Sequence, residues 1–408
     1  MKRKYLNYFT ILFVGYWLIL QIVFIILTWN VNQVSDAANY AIFARNAFEQ
    51  TSWYPTFANF NDDLWVANPG YINFLVLNLK IFHTLSFVSF EQLLFNILLL
   101  LSLWKISTRL GGQNVGKIVI ILFCILPSNA MMVPAYMSDL MGLSLVLYSF
   151  AILKCDFKRI LISGMLLAIA NWVRPIAIIF IPSLIIFSLC RRVPWYYYAS
   201  YIIGFAIVCI GIVSLTKYSC NHYLLGSTTK GTNMIIGCWD HASGGYDKEV
   251  FLPGNPGYIE KAERFNVVQK DSILTDRSIQ WIQSNPMKFI SLIPMKMLRL
   301  WGSDIYADKV FFNPNKQISQ PVRVFLSIPY YMIFFLFLLG IFKKRRQIFG
   351  IVGIILLPVL IGSGMHVLMY GGLRYHYPMM GSVVFLAAVA LCSLLKFSYV
   401  FPNLKRPS

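Results

Sequence analysis

Four ionisable side chains in a largely apolar chain are the candidates to carry its chemistry: the acids Asp36 and Asp139 and the guanidinium groups Arg174 and Arg374. A carboxylate beside a reacting hydroxyl can take its proton, and a guanidinium can hold an anionic oxygen pair through two parallel hydrogen bonds. Two acids and two arginines at one boundary therefore suit removal of a proton from a hydroxyl next to a departing phosphate. The elements around them must bring the four to one place, because they are scattered over 408 residues.

Composition sets the kind of element. Hydrophobic residues make up 58% of the chain and charged residues 12%, and the mean hydropathy is +0.63. These values describe an integral membrane protein. Apolar runs without strand-like alternation make the spans helical, so the expected fold is all-α: a polytopic helical bundle of about 10–11 spans. The formal net charge of +19 comes from 35 Lys+Arg against 16 Asp+Glu. In such a chain it reflects basic residues gathering in cytoplasmic loops, and no basic run carries a nucleic-acid motif.

Residues 7–29 form an uncleaved first span, which leaves residues 30–69 outside. In that loop Ser35 is placed to cap a helix in which Ala37, Tyr40, Ala41, Ala44, Ala47 and Phe48 recur at helical spacing, an apolar stripe expected against the membrane. Later spans are expected at 90–107, 119–133, 139–153, 160–173, 176–189, 195–216, 323–342, 348–362 and 378–397. With these, ten in all, each basic cluster falls inside; residues 71–85 are a candidate eleventh. The chain then divides into an N-terminal membrane module (1–216), an extracytoplasmic loop with short helices (217–322) and C-terminal membrane helices (323–408). The membrane is expected to be a cytoplasmic one, with the four charged residues at its outer face.

Within the large loop, helices are expected at 258–272, at 277–284 capped by Thr275-Asp276, and at 287–301 opened by Pro286. The last, with Lys288, Lys296 and Arg299, reads as a basic amphipathic helix on the membrane surface. Cys220 and Cys238 are both outside, where a disulfide is permitted but spacing does not require one. There is no CxxC pair, HExxH or Gly-rich phosphate loop. No cofactor is called for; the outer His222, His241, His366 and His376 leave a divalent metal open.

Each key residue also has a plain structural reading. Asp36 complements a helix dipole, Ser138-Asp139 caps a helix, Arg174-Pro175 breaks one, and Arg374 anchors at an interface.

Several short motifs lie at matching places along the chain: Asp36 with its helix after span one, Asn68-Pro69-Gly70, Tyr136-Met137-Ser138-Asp139, Asn171-Trp172-Val173-Arg174-Pro175, Trp281 to Pro286, and Arg374-Tyr375 before the last span. In this layout the chain resembles the GT-C superfamily of polyprenol-phosphate-sugar glycosyltransferases, especially the protein O-mannosyltransferase and aminoarabinose transferase branch. The resemblance implies Asp36 and Asp139 as catalytic acids, and Arg174 and Arg374 near the lipid phosphate. Tyr375, Asn68 and Tyr71, in or beside those motifs, are further substrate-binding candidates. It implies an inverting transferase working with a polyprenyl-phosphate sugar donor, a glycan, lipid or protein acceptor, and membrane lipid. The chain has Asp36-Ala37 where the family often has two adjacent acids, and Asn68-Pro69-Gly70 in place of a Lys-Pro-Pro-like element. A lipid-linked oligosaccharide polymerase or ligase, and a lipid or glycan flippase, are the alternatives.

Overall fold

The computed structural model describes residues 3–29, 33–53, 68–220, 223–305, 319–399 and 401, with residues 3, 219, 220 and 320 described in their backbone only. Residues 54–67 of the first outer loop and His222 lie outside the described residues. Among the described residues the structure is helical throughout, with no strand.

Six segments are long and apolar enough to cross a bilayer: α1 (Arg3–Thr28), α4 (Val88–Gly111), α10 (Trp195–Cys220), α14 (Gln320–Lys343), α15 (Ile351–Leu368), and α16 (Met380–Leu394) together with the 3-10 turn Leu373–Met379 before it. Large apolar side chains cover their outer surfaces, among them Ile11, Leu12, Ile19 and Ile26 on α1 and Phe325, Met332 and Phe335 on α14. Lipid satisfies such faces and water does not. The chain is a multi-pass helical membrane protein.

Four shorter helices, α5 (Gln113–Cys124), α7 (Ser138–Ile152), α8 (Phe157–Val173) and α9 (Ile181–Cys190), fall at the other expected spans. The expected span at 119–133 starts earlier and is broken: α5 stops at Cys124, and Pro127 opens the short α6 (Pro127–Met131). Pro127 cannot donate to a continuing helix, so it starts a new one. α3 (Pro69–Phe82) has 14 residues, about 21 Å of helix, too short to cross a core of about 30 Å.

Basic residues gather at one end of the bundle. Arg109 donates to the Leu153 carbonyl, Lys117 donates to Asn7, and Lys344 lies over the Tyr399 ring. Gly112, with φ 87°, makes the left-handed turn that folds α5 back along α4 and brings these charges together. Arg374 pairs with Asp36 and reaches Asp139, which in turn pairs with Arg174, so the four form one connected cluster.

α2 (Asp36–Glu49) forms where the periodicity places it, and Ala37, Tyr40, Ala41, Ala44 and Ala47 are buried. Their stripe packs on α3 rather than on lipid: the Tyr40 and Tyr71 rings meet at 5.4 Å, edge to face. Alanines at that spacing let two helix backbones approach closely. Ser35 stands at the N-cap position, but its side chain caps nothing.

The large loop between α10 and α14 folds into α11 (Lys230–Gly237), α12 (Val267–Ser284) and α13 (Pro286–Trp301) around a small core of Ile235, Ile236, Trp239, Val250, Leu274 and Tyr370. The two helices expected at 258–272 and 277–284 are replaced by the single α12. Asn266 and Gln269 form a reciprocal capping box that starts it, so Thr275 and Asp276 lie inside the helix.

α13 begins at Pro286 as expected, but its basic residues serve protein partners. Lys288 pairs with Asp240 at 2.9 Å, Arg299 donates to the Ser243 carbonyl, and the fully buried Lys296 donates to the Val367 carbonyl in the last turn of α15. A cation there complements the helix C-terminus, while burial holds the Lys296 ammonium below the usual lysine value. Cys238 is a free thiol that donates to the Leu368 carbonyl.

Candidate active site at one end of the bundle

Arg174 reaches the site because of the residue that follows it. Pro175 disfavours helical geometry in its predecessor, and Arg174 is accordingly extended (φ −159°, ψ 127°) at the end of α8. The side chain crosses to the first turn of α7, where its Nη1 lies 3.0 Å from Asp139 Oδ2 and donates to Ser138 Oγ at 3.0 Å. Gly142, one turn along α7, makes room: a Cβ there would sit 3.0 Å from the Arg174 Cβ.

Arg374 arrives from the other side, on the 3-10 turn that precedes α16. Its Nη2 donates to Asp36 Oδ2 at 2.7 Å, its Nε stands 3.8 Å from Asp139 Oδ2, and its Nη1 contacts Met137 Sδ at 3.3 Å. The four groups thus make one chain of alternating charge: Asp36, Arg374, Asp139, Arg174.

Burial grades along that chain. The side chains of Asp139, Arg174 and Arg374 are 0%, 11% and 17% exposed, whereas that of Asp36 is 45% exposed. Two carboxylates face two guanidinium groups, so the charges balance in number, while the Asp139 oxygens make no hydrogen bond among the described residues. Asp36 is the most exposed of the four. No group of three or more His, Cys, Asp or Glu side chains placed to hold a metal ion occurs among the described residues.

The remaining candidates surround this chain. Asn68 takes a left-handed backbone (φ 47°), which asparagine tolerates, and its amide donates to Tyr40 OH at 2.6 Å and to Ser138 Oγ at 2.7 Å. Ser138 is therefore a hub for Asn68 and Arg174 rather than a helix cap; the N-cap of α7 is Met137. Tyr71 is wholly buried beneath Tyr40, with its hydroxyl on Gln92 Oε1 at 3.3 Å. Tyr375 stacks on His366 (4.6 Å, 13°), its ring lies under the Arg374 guanidinium at 5.3 Å, and its hydroxyl bonds Tyr370 OH at 2.5 Å.

Three further features were not apparent from the sequence. Tyr370 joins the loop core to Tyr375, and the neighbouring Gly371-Gly372 pair is the only local sign of the tight passage there. Tyr246 meets the Tyr370 ring at 5.8 Å, and its phenol is held above the usual tyrosine value by burial and then by the Asp36 carboxylate. Asp304 bonds Ser128 and His376 Nε2, while His376 Nδ1 lies 2.8 Å from the Leu300 carbonyl. This buried knot fixes the turn bearing Arg374 against the end of α13.

No protein-family model matches the chain, and no curated protein matches it. Among solved structures, the chain is similar to the archaeal oligosaccharyltransferase AglB from Archaeoglobus fulgidus in complex with an inhibitory peptide and a dolichol-phosphate. That likeness has 11% identity and a TM-score of 0.43 over 94% of this chain and 51% of that one. It is also similar to ArnT from Cupriavidus metallidurans bound to undecaprenyl phosphate, at 13% identity and a TM-score of 0.39 over 93% of this chain and 77% of that one. The chain spans about half the length of the first of these.

Proposed function

We propose that the protein is a membrane glycosyltransferase that moves a sugar from a polyprenyl-phosphate-linked donor to a hydroxyl acceptor at the outer face of a cytoplasmic membrane. The observation that carries this reading is the graded ion chain, in which the half-exposed Asp36 shares Arg374 with the buried Asp139. Charges paired at one end of the bundle favour chemistry at a boundary over passage through it.

In the reaction the acceptor oxygen attacks the anomeric carbon as the carbon–phosphate-oxygen bond breaks. Asp36 takes the hydroxyl proton, and the leaving polyprenyl phosphate carries away one more negative charge than the bound diester had. Arg374 is the group to meet that charge: a phosphate approaching it competes with Asp36 for the guanidinium, freeing the carboxylate as the leaving group becomes held. Direct displacement inverts the anomeric centre. Arg174, locked to Asp139 and Ser138, positions the acid beneath Arg374.

The test is transfer of radiolabelled sugar from membrane lipid to endogenous acceptors, comparing wild type with Asp36→Asn at matched expression. Loss of a general base predicts a fall of about 10²–10⁴-fold with normal membrane insertion. Full transfer by the variant overturns the reading.

A further inference from the structure

A cleft of about 900 Å³ opens on the large loop, away from the ion chain, lined by Trp239, Asp240, Tyr258, Glu260, Arg277 and Trp281 among others. Its walls are braced. Arg277 Nη1 donates to the carbonyls of Pro256 and Tyr258, fixing the turn on one side. On the other side Asp240 Oδ1 accepts from Lys288 Nζ at 2.9 Å and from Trp281 Nε1 at 3.3 Å. The hydrogen bonds to Lys288 and Trp281 hold the Asp240 carboxyl below the usual aspartate range, so it stays an acceptor at neutral pH.

The lining combines three aromatic rings with two carboxylates. Flat indole and phenol faces suit the C–H faces of pyranose rings, and carboxylates accept from ring hydroxyls. Lys288 is paired with Asp240 and Arg277 is bonded to two carbonyls, so both cations are already engaged rather than set to hold a phosphate. Trp239, only 3% exposed, forms the floor of the cleft. The volume is ordinary for a small-molecule site.

The cleft also connects to the chemistry. Trp239 belongs to the same small core as Tyr370, which bonds Tyr375 beside Arg374. The turning passage from Asp240 to Tyr246 ends within electrostatic reach of Asp36. Six residues span at most about 22 Å, so a short saccharide chain can bridge the two places.

We infer that this cleft binds a neutral saccharide, namely the acceptor glycan, and presents its end at Asp36. The acceptor assignment rests on the transferase reading; saccharide binding itself does not.

The test uses full-length protein in lipid nanodiscs and saturation-transfer NMR with maltotetraose, mannotetraose and chitotetraose. At least one tetrasaccharide binds the wild type. Trp281→Ala weakens binding by about tenfold and Asp240→Asn by about threefold or more. Binding by none of the three, or undiminished binding by both cleft variants, overturns the cleft whatever the Asp36 transfer assay gives. In a transfer assay Trp281→Ala raises the KM for the acceptor; a rise confined to the lipid donor overturns the acceptor assignment.

Discussion

Asp36 and Asp139 share one arginine yet live in different solvents. Asp139 is sealed among Arg174, Arg374 and the start of α7, while Asp36 is half in water and bonded to Arg374 by one oxygen. A buried, doubly compensated carboxylate is costly to disturb and poorly placed to meet a substrate. An exposed one can exchange its partner at little cost. Under the proposed transferase reading the two acids divide the work: the inner holds the arginines in place, and the outer is free to act.

Breaking the inner pair gives the largest effect on stability. Asp139→Asn leaves two mostly buried guanidinium groups short of a counter-charge, and about 3–5 kcal/mol of stability is expected to go, measured as a lower denaturation midpoint in nanodiscs. An unchanged midpoint would mean that water compensates the arginines. Arg374→Ala sharpens the comparison from the other side: it removes the group held to meet the leaving phosphate and lowers kcat by about 10²–10³-fold. A change confined to KM would instead assign Arg374 to ground-state binding alone. The smallest effect belongs far from both acids. Asn266→Ala removes the capping box of α12 and costs about 1 kcal/mol in loop stability with no change in transfer per folded molecule.

Local rules in the sequence reach some of this arrangement. The helix at Asp36, the break at Arg174-Pro175 and the helix opened by Pro286 each follow from a few neighbouring residues, and each is present. What the sequence could not reveal is pairing over distance. Nothing near Asp139 announces Arg174, 35 positions away, or that Arg374 is shared by two acids. The stripe on α2 is readable as apolar but not as protein-facing, because lipid and α3 ask for the same residues. Lys296 misleads for a related reason: a basic residue on an amphipathic helix reads as solvent-facing until the open carbonyl end of α15 is brought beside it. At α12 the capping box of Asn266 and Gln269 outweighs the weaker Thr275-Asp276 signal, since an uninterrupted helix satisfies more backbone groups than two short ones.

The division between the acids is tested most directly by measuring transfer per folded molecule and denaturation midpoint together, on purified Asp36→Asn and Asp139→Asn in the same nanodiscs. The expected result is that Asp36→Asn keeps its midpoint, within about 1 kcal/mol, and loses transfer by about 10²-fold or more, while Asp139→Asn loses its midpoint first. Retained transfer in Asp36→Asn, or a midpoint that falls as far as that of Asp139→Asn, would contradict the account.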